Sequence, residues 1–203
     1  MAVFMKRDLI PPEFLLCREL VFIQSTGAQY IDTGFKPSYN SRVVMDISDL
    51  LANSSTFVFG VRDEASGTAT NQFGLYRQST KIRSDYFGSN QSVSVSDTTT
   101  RTIIDKNENV FSGYGVNITN TAVNSGQCAN NLTLFALNTA GKKELHSSYK
   151  MYSCQIYDNG VLVRDFVPAQ LKSTDEIGLW DKVEKIFYGN AGTGVFIAGE
   201  VAA

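Results

Sequence analysis

The chain of 203 residues is poor in histidine, cysteine, proline and charge. It has one His, three Cys, four Pro and one Trp, and Lys, Arg, Asp and Glu together make up 19%. A single histidine disfavours most metal sites and histidine-based catalytic triads. The net charge of −2 lacks the basic excess with which proteins bind nucleic acid. These scarcities exclude several function classes without naming one.

Long apolar runs are also missing. A secretory signal needs an uninterrupted apolar core of about 7–15 residues, and Asp8, Pro11 and Pro12 interrupt the only candidate. No stretch reaches the roughly 18 apolar residues of a membrane span. We therefore expect no signal peptide and no membrane contact, and a protein made in a cytosol. An odd number of cysteines without a CxxC motif predicts small, buried thiol side chains.

The residues that are abundant predict strands. Hydrophobic residues make up 43%, with 13 Phe, 9 Tyr and 16 Gly. From Leu20 onward, short apolar runs alternate with clusters of Gly, Asn, Asp and Ser, which is typical of all-β proteins. About fourteen short strands without a long helix predict a two-sheet antiparallel β-sandwich. Residues 1–19 lack this rhythm, so we expect them to form an N-terminal arm on a sandwich of residues 20–203.

One hairpin can be predicted in detail. Asn159 and Gly160 tolerate the positive φ angles that a tight type I′ turn requires. Strict alternation along the preceding strand places Tyr152, Cys154 and Ile156 on one face and Met151, Ser153, Gln155 and Tyr157 on the other.

The motifs that suggest phosphate binding or nucleophilic catalysis are weak. Residues 189–194, GNAGTG, resemble a phosphate-binding loop, but a strand-like segment follows them where that chemistry needs a helix N-terminus. They are better explained as a turn between two strands. His146 lies in a polar segment, and no Gly-x-Ser-x-Gly elbow supplies a nucleophile, so we expect an exposed loop histidine.

Acidic residues could hydrolyse sugars if two of them shared one face of a strand. Adjacent Asp63 and Glu64 point to opposite faces of a strand. Asp175 and Glu176 lie at one end of another short strand, and Asp181 lies at its other end. We therefore predict structural or solvated roles for all five and assign no catalytic residue. No acidic residues have the spacing of a calcium-binding loop, although a calcium site assembled from separate loops stays an open alternative. No other cofactor is expected.

Aromatic residues offer a platform for stacking a sugar ring. The candidates are Tyr76, Tyr86, Phe87, Tyr114 and Trp180, with Arg77, Arg83 and Asp85 as polar neighbours. From these we select a glycan-binding set of Tyr76, Arg83, Asp85, Tyr86 and Trp180. The alternative is that alternating strands place these rings in the core.

One longer pattern is more specific. Residues 22–34, FIQSTGAQYIDTG, resemble the opening YIQSTGTQYIDTG of a concanavalin A-like (laminin-G/pentraxin-like) sandwich domain. The resemblance continues through residues 152–160, YSCQIYDNG, and residues 187–194, FYGNAGTG, and covers roughly residues 10–199. It implies a jelly-roll sandwich of the kind found in phage virion proteins and gut-bacterial surface proteins. The E-x-D-x-x-E strand of related glucanases is absent, which disfavours a hydrolase.

The resemblance implies a binding or assembly module. Because the domain fills the chain and no signal peptide is expected, our first hypothesis is a non-catalytic bacteriophage structural protein on the virion surface. It would decorate a capsid or form part of a head or tail fibre, as a homo-oligomer attached to other virion proteins through residues 1–19. The alternative is a lectin-like adhesion module that binds host or mucosal glycans.

Overall fold

The computed structural model describes residues 16–51, 55–65, 69–121 and 125–202. Within these ranges the regular elements are nineteen β-strands. In chain order they are β1 (Cys17–Glu19), β2 (Ile23–Gln24), β3 (Ile31–Asp32), β4 (Ser41–Ser48), β5 (Ser55–Arg62), β6 (Gln72–Gln78), β7 (Lys81–Tyr86), β8 (Ser89–Ser94), β9 (Thr102–Asn107), β10 (Val110–Gly113), β11 (Val116–Thr119), β12 (Thr133–Leu134), β13 (Leu137–Thr139), β14 (Lys142–Glu144), β15 (Lys150–Asp158), β16 (Val161–Leu171), β17 (Ile177–Asp181), β18 (Ile186–Tyr188) and β19 (Ile197–Ala198).

The strands form two sheets. The first runs in the order β11-β10-β9-β4-β15-β16-β17-β18, with β1 on β16, β2 on β15 and β19 on β2. The second runs in the order β14-β13-β5-β6-β7-β8, with β12 joining β3 to β5. Pairing is antiparallel except between β13 and β5. One continuous apolar core between the sheets confirms the predicted two-sheet sandwich, which belongs to the jelly-roll class.

Alternation within each strand builds this core. In β4, Val43, Met45 and Ile47 are fully buried, whereas Arg42 and Asp46 point outward and pair with Asp105 and Arg101. Because successive side chains leave a strand on opposite faces, one apolar set meets the core and one polar set meets water.

A β-bulge changes the predicted faces of β15. Its register against β4 shifts between Met151 and Ser153, so Met151 lies in the core together with Cys154 and Ile156. Tyr152 points outward, where its hydroxyl lies 3.1 Å from that of Ser48. The predicted faces of Met151 and Tyr152 are therefore wrong, because the extra residue of a bulge interrupts strict alternation.

The turn after β15 matches its prediction. Asp158 pairs with Val161, and the two residues between them, Asn159 and Gly160, have φ angles of 49° and 78°. Both angles are positive, as a type I′ turn requires, so this prediction is confirmed.

The beginning of the described chain belongs to the first sheet. Residues 17–19, which the sequence analysis assigns to the arm, form β1 and pair with β16, with Cys17 opposite Leu171. Residues 1–15 of the predicted arm lie outside the described residues. The three cysteines are free and buried, as expected. Across the described ranges, no helix has the length and apolarity needed to cross a bilayer.

Candidate functional site

Cross-strand pairing brings polar and aromatic residues together on the outer face of the second sheet. Between β5 and β6, Phe57 lies opposite Tyr76, and Arg62 lies opposite Gln72. Directly opposite residues share one face of a sheet. Between these pairs, Phe59, Val61 and Leu75 face the core. The two pairs therefore project away from the core.

The next strand extends this outer face. Arg83 of β7 lies opposite Tyr76, and Asp85 lies opposite Gly74. We name as the arginine face the six side chains that project here, which are Phe57, Arg62, Gln72, Tyr76, Arg83 and Asp85. The sheet thus gathers two guanidinium groups, a carboxylate, an amide and two aromatic rings.

Two glycines in the middle of this face make room for a ring. Gly60 and Gly74 are directly opposite each other. A Cβ atom at Gly60 would approach Cδ1 of Phe57 to 2.5 Å, and one at Gly74 would approach the carbonyl oxygen of Phe59 to 2.8 Å. The Phe57 ring therefore lies close to the backbone, with its centroid 4.8 Å from that of Tyr76.

The two arginines lie over these rings. The Cζ atom of Arg62 is 5.5 Å from the centroid of Phe57, and that of Arg83 is 5.6 Å from the centroid of Tyr76. Nε of Arg83 also donates to Oδ1 of Asp85 at 2.5 Å. Stacking and ion pairing restrict the guanidinium groups, so less conformational freedom is lost when they bind a ligand.

Asp85 is a buried carboxylate, with its side chain 3% exposed. Burial raises the pKa of Asp85, and the positive charges of Arg83 and Arg62 partly offset this effect. A carboxylate removed from water in this way needs hydrogen-bond donors, and Nε of Arg83 is one of them.

Hydrogen-bonding capacity on the arginine face is not fully used. Within the described part of the chain, Nε of Arg62 and Oε1 of Gln72 are buried and have no hydrogen-bond partner. The Gln72 residue is only 1% exposed, and its Nε2 donates to the carbonyl oxygen of Ser89 at 3.4 Å. Buried polar atoms are usually bonded, so an unpaired donor and an unpaired acceptor on directly opposite residues are unusual, although neither atom is exposed in the free chain.

Neutral polar residues continue the face across β8. Asn90 lies opposite Asp85, and Ser92 lies opposite Arg83. The whole surface therefore offers guanidinium donors, carboxylate and amide acceptors, and adjoining groups that both donate and accept. This combination suits a ligand that is rich in hydroxyl groups.

The structure divides the five residues that the sequence analysis selected. Tyr76, Arg83 and Asp85 lie together on the arginine face. Tyr86 points into the core, and its hydroxyl donates to the carbonyl oxygen of Tyr39 at 2.7 Å. Trp180 belongs to the first sheet, where it packs with Cys17 and Ala169 and is 2% exposed.

Sequence reasoning missed three members of the face. Phe57, Arg62 and Gln72 become neighbours of the selected residues only through the β5–β6 register, which shifts between Phe57 and Phe59. Alternation within the β6–β7 hairpin could have found Gln72, since it shares a face with Tyr76. No local signal marks the bulge in β5.

The acidic residues considered for hydrolysis have separate local contacts. Asp63 accepts hydrogen bonds from the backbone N–H groups of Ala129 and Asn130, while Asp175 pairs with Arg18 across 3.5 Å. Asp181 is fully buried and accepts from the N–H groups of Asp165 and Val183. Glu64 and Glu176 are exposed. Asp175 precedes β17 and Asp181 is its last residue, so the two lie at opposite ends of that strand. The four residue steps of β17 alone span about 13 Å of backbone, which exceeds the spacing of glycosidase carboxylates.

Two other sequence motifs, residues 189–194 and His146, lie in loops. Residues 189–196 connect β18 with β19 without a helix, which confirms the predicted turn between strands. His146 lies in a loop, as expected, but it is half-buried and not exposed, because its ring packs 5.9 Å from that of Tyr30. Nowhere in the described ranges do three or more His, Cys, Asp or Glu side chains group as they would to hold a metal ion.

Comparisons with known proteins identify the fold. No family model and no curated protein matches the chain. A candidate carbohydrate-binding protein from Bacteroides ovatus has a similar structure, with a TM-score of 0.56 and 10% identity over 91% of this chain. The match covers 61% of the Bacteroides chain, so the present chain spans about three fifths of it. The NanB sialidase of Streptococcus pneumoniae gives a TM-score of 0.41 and 15% identity over 71% of this chain and 27% of its own.

Proposed function

We propose that this chain is a non-catalytic carbohydrate-binding module of the concanavalin A-like type, and that a glycan binds on the arginine face. The observation that carries the proposal is the unpaired donor of Arg62 directly opposite the unpaired acceptor of Gln72. A sugar hydroxyl donates and accepts at one atom, and both atoms are buried in the free chain. The Arg62 and Gln72 side chains must therefore shift for one hydroxyl group to bond to both.

The remaining groups of the face extend this recognition. Asp85 accepts hydrogen bonds from sugar hydroxyls, while Arg83 keeps its charge compensated. The guanidinium carbons of Arg62 and Arg83 lie over aromatic rings, and these contacts restrict the two side chains. Asn90 and Ser92 provide neutral contacts for a neighbouring sugar residue. The rings of Phe57 and Tyr76 are nearly buried. The polar groups therefore contribute most of the specificity for the glycan.

The fold likeness supports the same assignment. The Bacteroides ovatus protein with the shared sandwich is described as a candidate carbohydrate-binding protein. The sequence resemblance to concanavalin A-like domains agrees with this description. A structural role on a virion, attachment through residues 1–19 and homo-oligomerisation stay predictions, since none of the contacts or comparisons bears on them.

The test is a glycan array followed by calorimetry on the best ligand. Arg62→Gln removes the unpaired Nε donor, and we expect affinity to fall about tenfold, the effect of one hydrogen bond to a charged group. The double variant Arg83→Gln with Asp85→Asn removes both charges together and should abolish binding. Arg42→Gln is the matched control, because Arg42 lies on the outer face of the other sheet.

Thermal unfolding of each variant shows whether the sandwich is retained. Binding by the folded Arg62→Gln and double variants that equals that of Arg42→Gln would exclude the arginine face. Absence of any glycan ligand at millimolar concentration would exclude the proposed function itself.

A further inference from the structure

A concave site separate from the arginine face lies where three loop-rich segments of the sandwich meet. The cavity has a volume of about 390 Å³, and its lining includes Gly27, Ala28, Tyr30, Lys143, His146 and Gly192. We name it the loop pocket. It combines the two most recognisable motifs of the sequence, residues 22–34 and 187–194, with the segment that follows β13.

The walls of the loop pocket are held by backbone contacts. Ala191 donates its N–H to the carbonyl oxygen of Tyr30 at 3.0 Å, and Thr193 donates to that of Ala28 at 3.2 Å. Oδ1 of Asn190 accepts from the N–H groups of both Tyr30 and Gly192. A Cβ atom at Gly192 would collide with the Ala28 carbonyl oxygen. The pocket is therefore preformed, and its glycine is required by the close approach of two backbones.

The side chains around the pocket provide three different functions. The rings of Tyr30 and His146 meet at 53°, and both residues are half-buried, so they form an aromatic wall. Burial lowers the pKa of His146, which keeps the imidazole neutral near pH 7, with one donor and one acceptor. Among the described lining residues, Lys143 is the one with an ammonium group.

We propose that the loop pocket binds one sugar residue that carries a carboxylate, such as a hexuronate. Sugar rings present C–H groups that pack on an aromatic wall, as Tyr30 provides here. The Lys143 ammonium pairs with the carboxylate, and His146 binds hydroxyl groups as donor and acceptor. The volume lies within the range of small-molecule sites. The residues involved are different from those of the arginine face, so this site is additional to the proposed function.

His146 supplies an unambiguous readout, because it is the only histidine in the chain. Its imidazole proton resonances can be followed by NMR while D-glucuronate, D-glucose or acetate is added. We expect a saturable shift with glucuronate, a weaker response to glucose and none with acetate at the same concentration. An equal response to acetate would show that the pocket binds any carboxylate and would overturn the sugar assignment, and no saturable shift with glucuronate would overturn the site.

Two neighbouring lysines provide the matched variants. Lys143→Gln should weaken glucuronate binding about fivefold, the effect of one exposed ion pair, and should leave glucose binding unchanged. Lys142→Gln is the control, because Lys142 pairs with Glu144 at 3.1 Å and does not line the pocket. Equal glucuronate affinities in the two variants would contradict the role of Lys143. Arg62→Gln should leave the His146 response intact whether or not the arginine face binds a glycan.

Discussion

Replacing the buried Lys106 with Met should stabilise the protein at mildly acidic pH. Lys106 lies on β9 in the sandwich core and is 1% exposed. Its Nζ donates to the carbonyl oxygen of Glu108 at 2.7 Å and lies 4.9 Å from the ring centroid of Tyr86 and 5.2 Å from that of Phe73. Burial lowers the pKa of Lys106 from 10.5 to about 7, although Asp85 partly offsets this effect.

The size and sign of the effect follow from that pKa. Each pKa unit corresponds to about 1.36 kcal/mol, so the charged form is disfavoured in the folded state by about 5 kcal/mol. Below the folded-state pKa, both states bind the proton and the whole penalty is present. Between about pH 7 and 10.5 the unfolded state binds more protons than the folded state, so stability rises with pH. The remaining penalty is about 1 kcal/mol at about pH 10.

Met has a similar length and no charge, so Lys106→Met removes the penalty and loses one hydrogen bond worth about 1 kcal/mol. We expect the variant to be more stable than the natural protein by about 3 kcal/mol at about pH 6 and by less than about 1 kcal/mol at about pH 10. Urea unfolding followed by the fluorescence of Trp180, the single tryptophan, measures both differences. The other titrating groups are common to the two proteins, so the change with pH reports on Lys106 and on Asp85, whose pKa Lys106 lowers.

Lys81→Met is the matched control, since Lys81 is exposed on β7. Its effect on the free energy of unfolding should be small and similar at the two pH values. A Lys106→Met variant that is less stable than the natural protein at about pH 6 would refute the reasoning, and so would a gain that stays the same at about pH 10.

Two further variants test packing. Gly60→Ala should displace the Phe57 ring, lower the free energy of unfolding by about 1–3 kcal/mol and weaken glycan binding. Gly189→Ala is the control, because the nearest contacts of its added methyl group lie in the exposed Glu176 side chain. Equal melting temperatures of the two variants would contradict this account. Tyr149→Phe should lower the free energy of unfolding, measured with urea, by about 1 kcal/mol, because the buried hydroxyl donates to the Val58 carbonyl oxygen at 2.9 Å. An unchanged free energy of unfolding would show that this hydrogen bond contributes nothing to stability.

Short-range patterns predicted the parts of the fold that depend on neighbouring residues. The turn at Asn159 and Gly160 follows from the φ angles these two residues tolerate, and β4 follows from its alternating apolar residues. The prediction failed for Met151 and Tyr152, because a bulge reverses the faces of a strand at one residue. A bulge depends on how the partner strand pairs, and that information lies far away in the sequence.

The candidate sites depended on long-range contacts to a greater extent. Tyr76 and Arg83 could be selected because they occupy one hairpin, but Arg62 joins them only through the register of β5 against β6. Aromatic content alone did not show which sheet and which face a ring occupies, so Tyr86 and Trp180 were selected together with Tyr76. In the structure, these two rings are buried on different sheets.

The sequence by itself determined an all-β sandwich, because alternation and turn residues act over only a few positions. It also determined that histidine and charge are scarce. Tertiary structure alone decided which polar atoms share the arginine face, and it brought Tyr30, His146 and Gly192 to one pocket. The physical reason is that both sites form between segments distant in the chain, where strand register and backbone packing place each side chain.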